Sequence, residues 1–115
     1  MYKDLIQLSK EFDLEKQTIE NAKQFFRNWK KEFPEEFKEY LLPYGLEKDL
    51  PTDFSKINFC VFKIGYEIRL GQENIEALSV VLDLETTYNE YDNFNLCSYY
   101  CYYDKQGNFI DDFID

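Results

Sequence analysis

Apolar residues recur along this chain with two different periods. Leu5, Leu8 and Phe12, then Ile19, Ala22, Phe26, Trp29 and Phe33, follow one another within each group at steps of three and four, which lines them along a helix face. Asp13 can cap a second helix whose first residue is Leu14, so a break near residue 13 is expected. One long helix is the alternative, because the spacing survives the junction if Glu15 is counted. Phe33-Pro34-Glu35-Glu36 then ends one helix and begins a short one: Pro is tolerated in a first turn, and acidic residues there complement the helix dipole. Phe37, Tyr40 and Leu41 give that helix an apolar face before Leu42-Pro43-Tyr44-Gly45 stops it.

From Ile57 the period becomes two. Phe62, Ile64, Tyr66, Ile68 and Leu70 alternate with Lys63, Gly65, Glu67 and Arg69, as in a strand with one dry and one wet face. Gly71-Gln72-Glu73-Asn74 reads as a turn, and the design repeats with Leu78, Val80, Leu82, Leu84 and Tyr88 on one face and Ser79, Val81, Asp83, Glu85 and Thr87 on the other. Asn89-Glu90-Tyr91-Asp92-Asn93 reads as a polar loop, and residues 96–103 form a third strand rich in Tyr and Cys. Asp104-Lys105-Gln106-Gly107 has the residues of a type I turn, so Phe109 to Ile114 can return as a short fourth strand. The expected fold is α+β: one domain over 1–115, helical to residue 42, a loop over 43–56 and an antiparallel meander over 57–115. Its N-terminal helices should pack on the Ile64/Ile68/Val80/Leu82 face of a sheet of three to four strands.

Composition adds an aromatic core and an acidic surface. Eleven Phe, ten Tyr and one Trp in 115 residues supply large side chains enough to build a core without disulfide or metal. The formal charge of −10 is uneven: residues 1–56 hold 10 Lys/Arg against 12 Asp/Glu, residues 57–115 only 3 against 11. An acidic C-terminal half repels nucleic acid and suits a basic protein partner, although acidity also serves solubility. The first residues lack a basic segment followed by about 7–15 apolar ones, and nowhere do about 18 apolar residues run together, so a cytoplasmic protein without membrane contact is expected.

Little in the chain promises catalysis. There is no histidine, the commonest general base and the usual partner of Ser or Cys nucleophiles. Cys60, Cys97 and Cys101 lack the spacing of a zinc site. Four residues along a strand put Cys97 and Cys101 about 13 Å apart, beyond disulfide reach, so all three should be reduced core thiols. From Asp104 to Asp115, carboxylates and amides fall at several positions of a calcium loop, but Phe109 occupies the position that needs Gly and Asp115 the one that needs a bidentate Glu. A hairpin turn is the simpler reading, and no catalytic residue, cofactor or metal is expected.

The surface is more informative. Even positions of 78–88 turned inward send Asp83 and Glu85 outward, and the third strand must place beside them either Cys97/Tyr99/Cys101/Tyr103 or Leu96/Ser98/Tyr100/Tyr102. Cysteine is buried more often than tyrosine, which favours Tyr100 and Tyr102 outward. Aromatic anchors among carboxylates can engage Arg or Lys, although tyrosines also cover an exposed sheet simply as good strand residues. Asp83, Glu85, Tyr100, Tyr102, Asp111 and Asp112 are the candidate partner-binding residues.

Acidic N-terminal helices followed by aromatic strands, with a tail reading Tyr99-Tyr100-Cys101-Tyr102-Tyr103-Asp104-Lys105-Gln106-Gly107-Asn108-Phe109-Ile110-Asp111-Asp112, resemble the small acidic immunity proteins of bacterial polymorphic toxin and contact-dependent inhibition systems. The resemblance implies a non-enzymatic protein that binds a cognate toxin domain and covers its basic active-site or substrate-binding surface, the toxin being a nuclease acting in the cytoplasm. The alternative is an acidic nucleic-acid mimic that inhibits a host nucleic-acid-binding enzyme.

Overall fold

The computed structural model describes residue 7, residues 9–69, 75–87 and 93–115, with the side chains of 67–69, 75, 87, 93 and 94 left aside. Leu5, Leu8, Leu70, the turn at 71–74, Tyr88 and the loop at 89–92 lie outside the described residues. Helix α1 spans Leu14–Glu32 and helix α2 Pro34–Leu41, followed by a 3-10 turn at Leu42–Tyr44. Strands β1 (Ile57–Arg69), β2 (Ile75–Thr87), β3 (Asn93–Tyr103) and β4 (Phe109–Ile114) form one antiparallel sheet in sequential order. The architecture is α+β, with helices first and the meander after them.

The break at Asp13 is real, and it is conformational. Asp13 adopts the left-handed region at φ 51° and ψ 48°, and no side-chain hydrogen bond caps α1. Aspartate visits this region more readily than most residues, and one left-handed residue interrupts the helical backbone before α1 starts. At the other end Phe33 leaves the helix and Pro34 opens α2, where a missing N–H costs nothing. Gly45, at φ 70°, closes the 3-10 turn. The stretch expected to be a plain loop contributes to the core, since Leu46 and Leu50 are buried within it.

Alternation carries Leu78, Val80, Leu82 and Leu84 of β2 to the same face as their partners Tyr103, Cys101, Tyr99 and Cys97 of β3. Onto this inner face α1 sets Leu14, Thr18, Ala22 and Phe26, all buried. α2 adds Phe37 and Leu41. A polar knot crosses the layers: the Thr18 hydroxyl donates to the Leu14 carbonyl and lies 2.7 Å from the Tyr103 hydroxyl, to which the Asn21 amide donates at 3.1 Å. The single Thr18 proton goes to Leu14, so Tyr103 must donate to Thr18 and accept from Asn21. Burial pushes the Tyr103 phenol above its ordinary range and keeps that donor in place.

Two bulges alter the expected faces. The β1–β2 register slips between Val61 and Lys63, so Phe62 does not point into the core as its period suggests and is 69% exposed. Ile64, paired with Val80, is half-buried. In β3 the slip beside Leu84/Glu85 leaves Leu96 unmatched between Asn95 and Cys97, and Leu96 and Cys97 are both buried although consecutive. The Tyr40 hydroxyl of α2 donates to the Leu96 carbonyl at 2.8 Å, and burial raises the Tyr40 pKa to about 12.

The β3–β4 turn closes as its residues suggest, with the Gly107 N–H donating to the Asp104 carbonyl at 3.0 Å. The Asp104 side chain accepts from the backbone N–H groups of Gln106 and Asn108. Gly107 has φ 83°, and a Cβ there would sit 2.6 Å from Cγ of Phe12; Gly45, at φ 70°, has nothing within 4 Å of a Cβ. Gly107→Ala should therefore combine backbone strain of about 1–2 kcal/mol with an overlap costing about 1–3 kcal/mol, whereas Gly45→Ala should show the strain alone. Urea denaturation of the two variants checks this, and equal losses would contradict it.

Candidate functional site

The sheet's outer face, turned away from α1 and α2, reads as rows across the strands. One row holds Cys60, Asp83 and Ser98, with Asp115 bonded through its backbone beside Ser98. The next holds Lys63, Val81, Tyr100 and Phe113, and a third Gly65, Ser79, Tyr102 and Asp111. Glu85 stands beyond the first row, between Asn58 and Asn95. Five of the six residues singled out in the sequence thus share one face, and Tyr100 and Tyr102 are on it.

Phe113 and Tyr102 change the picture of that face. The Phe113 ring stacks on Tyr100 with centroids 4.6 Å apart and planes 5° from parallel, and lies 6.0 Å from Tyr102. Tyr102, only 6% exposed, is a packed part of the surface and not a free anchor, while Phe113 is 40% exposed. Val81 and Ser79 are buried beneath these rings beside a shallow pocket of about 130 Å³ bordered by Phe62 and Lys63. Asp83 accepts from the Ser98 hydroxyl at 2.9 Å, which holds its carboxylate on the sheet. Phe113 was legible as the residue two beyond Asp111 on an alternating strand; the stack needed the β3–β4 register.

Asp112 departs from the expected surface. It pairs with Cys101 and so faces the helix side, where the buried Tyr99 hydroxyl donates to its Oδ2 at 2.6 Å. There it lines an open cleft of about 420 Å³ between α1, the start of α2 and β4, together with Phe25, Asn28, Trp29, Glu32, Phe33, Glu36 and Ile114. The helical period marked Trp29 and Phe33 as core positions; Trp29 is half-buried and Phe33 is 56% exposed. Burial raises the Asp112 pKa and the charge of Asp111 adds to this, while the bond from Tyr99 opposes both.

The cysteines also divide. Cys97 and Cys101 are buried in the core, whereas Cys60 is exposed on the outer face and is no core thiol. Burial pushes the Cys97 thiol up to about 12 and raises that of Cys101, which leaves both protonated and unreactive. Among the described residues no helix is long and apolar enough to cross a membrane. No protein family, no curated protein and no solved structure matches the chain.

Two outcomes follow for the folded protein. A maleimide reagent should label Cys60 alone of the three cysteines under native conditions, and mass spectrometry of the digested product reads this; labelling of Cys97 or Cys101 at a similar rate would contradict their burial. A carboxyl whose pKa is higher in the folded than in the unfolded state holds its proton more tightly when folded. Ionised Asp112 therefore costs stability, absent below the ordinary value of 3.8 and complete above the folded pKa. Asp112→Asn keeps an acceptor for Tyr99, so it should raise the thermal midpoint at neutral pH, with the gain vanishing as pH falls below that ordinary value. A neutral-pH loss of stability would reverse this sign.

Proposed function

We propose that this protein is a non-enzymatic inhibitor of the immunity type, which binds a cognate basic toxin domain through the outer face of its sheet and covers the surface that the toxin offers to nucleic acid. The observation that carries this reading is the grouping of Asp83, Glu85, Asp111 and Asp115 around the Tyr100–Phe113 stack, on the sheet face turned away from α1 and α2, with Lys63 as the one cation in the rows that hold them. A surface that neutralises phosphate must be basic, and an acidic face with rigid rings complements it. The carboxylates steer approach and align the partner. The stacked rings offer flat apolar area with little rotamer entropy left to lose, as binding anchors do.

The reading is tested by purifying the product of the reading frame next to this chain's gene and titrating it against the protein by surface plasmon resonance; a neighbour that does not bind counts against the reading. Asp83→Lys with Glu85→Lys should slow association at least tenfold at low salt, with a deficit that shrinks as salt rises, because steering acts through a screened field. Tyr100→Ala should instead speed dissociation and leave circular dichroism unchanged. Tyr102→Ala is a poorer probe, since its buried ring also supports the fold. Folded variants that bind and protect cells like the wild type would remove the outer face as the binding surface.

A further inference from the structure

The cleft beside Asp112 lies on the opposite face of the sheet, and the outer-face reading makes no use of it. Its walls are rings whose backs are locked in the core. Trp29 meets Phe37 edge-on at 5.2 Å and lies 5.0 Å from Tyr40, while Phe25 packs 5.8 Å from Tyr99 and 6.4 Å from Trp29. Phe33, at the end of α1, adds an exposed ring. Among these rings stand the carboxyl groups of Glu32, Glu36 and Asp112 and the amide of Asn28, and among the described residues no lysine or arginine lines the cleft. Glu32, the last residue of α1, and Glu36, in the first turn of α2, both line the cleft, and β4 contributes Asp112.

We propose that this cleft receives an arginine side chain carried by an extended segment of a protein partner. An anion is excluded by the three carboxylates, and an apolar side chain would leave them without a counter-charge. Arginine answers both parts of the lining: its flat guanidinium stacks on aromatic faces, and its forked donors reach more than one carboxylate. Lysine, a compact and strongly hydrated ammonium, stacks less well. The Tyr99 hydroxyl holds the Asp112 carboxylate in position, so one charged partner is oriented before the ligand arrives. A protein-borne arginine is favoured over the free amino acid because β4, which contributes Asp112 and Ile114, is the last strand of the sheet order. An edge strand offers backbone groups to an added strand. The partner needs only an accessible arginine, so this inference does not require it to be a toxin.

Trp29 is the only tryptophan of the chain, and its fluorescence therefore reports on the cleft directly. The 115-residue chain is titrated with a capped five-residue peptide, Gly-Val-Arg-Val-Gly, with its lysine and citrulline counterparts and with arginine amide. The arginine peptide should give a saturable change. The citrulline peptide, similar in shape but uncharged, should bind at least tenfold more weakly, and Glu36→Gln and Asp112→Asn should each weaken the arginine peptide about tenfold, equivalent to about 1.4 kcal/mol. Thermal unfolding verifies that both variants are folded, and Asp83→Lys, on the other face, should leave the response unchanged. Equal binding of the citrulline peptide, no saturable change at millimolar peptide, or indifference to both cleft substitutions would overturn the proposal. Arginine amide binding as tightly as the peptide would overturn the protein-borne occupant. No toxin takes part in the assay, so its failure leaves the outer-face reading standing, and failure of that reading leaves this one.

Discussion

The contact between α1 and the inner face of β2 and β3 governs the rest of the molecule. Leu78, Val80, Leu82 and Leu84 with Cys97, Tyr99, Cys101 and Tyr103 form one apolar surface, and burying it under Leu14, Ala22 and Phe26 is the main favourable term available to so small a chain. The polar knot makes the contact specific. A phenol buried at Tyr103 must find partners, and it finds Thr18 and Asn21, three residues apart on α1. That pairing sets the rotation of α1 about its own axis, since turning it would leave the buried Tyr103 hydroxyl without its partners. Phe25, one turn beyond Asn21, consequently lies over Tyr99.

The outer face of the sheet and the cleft beside Asp112 are consequences of this one commitment. Because a strand alternates, giving one set of residues to α1 sends the other set outward. With no described helix on the outer face, its residues shield one another, and Tyr102 and Val81 are buried by neighbours on their own sheet. Four carboxylates of the C-terminal half, Asp83, Glu85, Asp111 and Asp115, stand there, around rings already ordered by stacking. At the sheet's far edge the layers end before they close. The end of α1 and β4 border the cleft lined by Trp29, Phe33 and Asp112. The charge on Asp112 is held there against the cost of partial burial, a local penalty of the kind that binding sites often carry.

The order of elements, the break near residue 13, the helix change at Pro34, the meander and the Asp104–Gly107 turn were all legible in the sequence. Each depends on neighbours within a few positions, through period, capping or turn chemistry. The assignment of Tyr100 and Tyr102 to the outer face was legible for a related reason: alternation leaves two choices, and cysteine prefers burial. Phe62, Leu96 and Cys60 were read less well. Phe62 is turned outward and Leu96 inward by bulges, which arise from fitting one strand against another. Cys60 follows the pairing with Asp83 onto the exposed face.

What the sequence by itself determined is therefore the list of elements and, away from the bulges, the two alternating faces of the strands, because those depend on backbone sterics and on the local spacing of apolar residues. Only the tertiary structure decided which carboxylates stand together. Asp111 and Asp112 are adjacent in the chain, yet pleating directs the first to the Tyr100–Phe113 face and the second to the Tyr99 hydroxyl on the other side. Conversely, Glu32 and Glu36 share a cleft with Asp112 across more than seventy residues, because the α1 rotation set by Tyr103 and the β3–β4 register bring their backbones together. Long-range register is a property of the packed layers, and no local period encodes it.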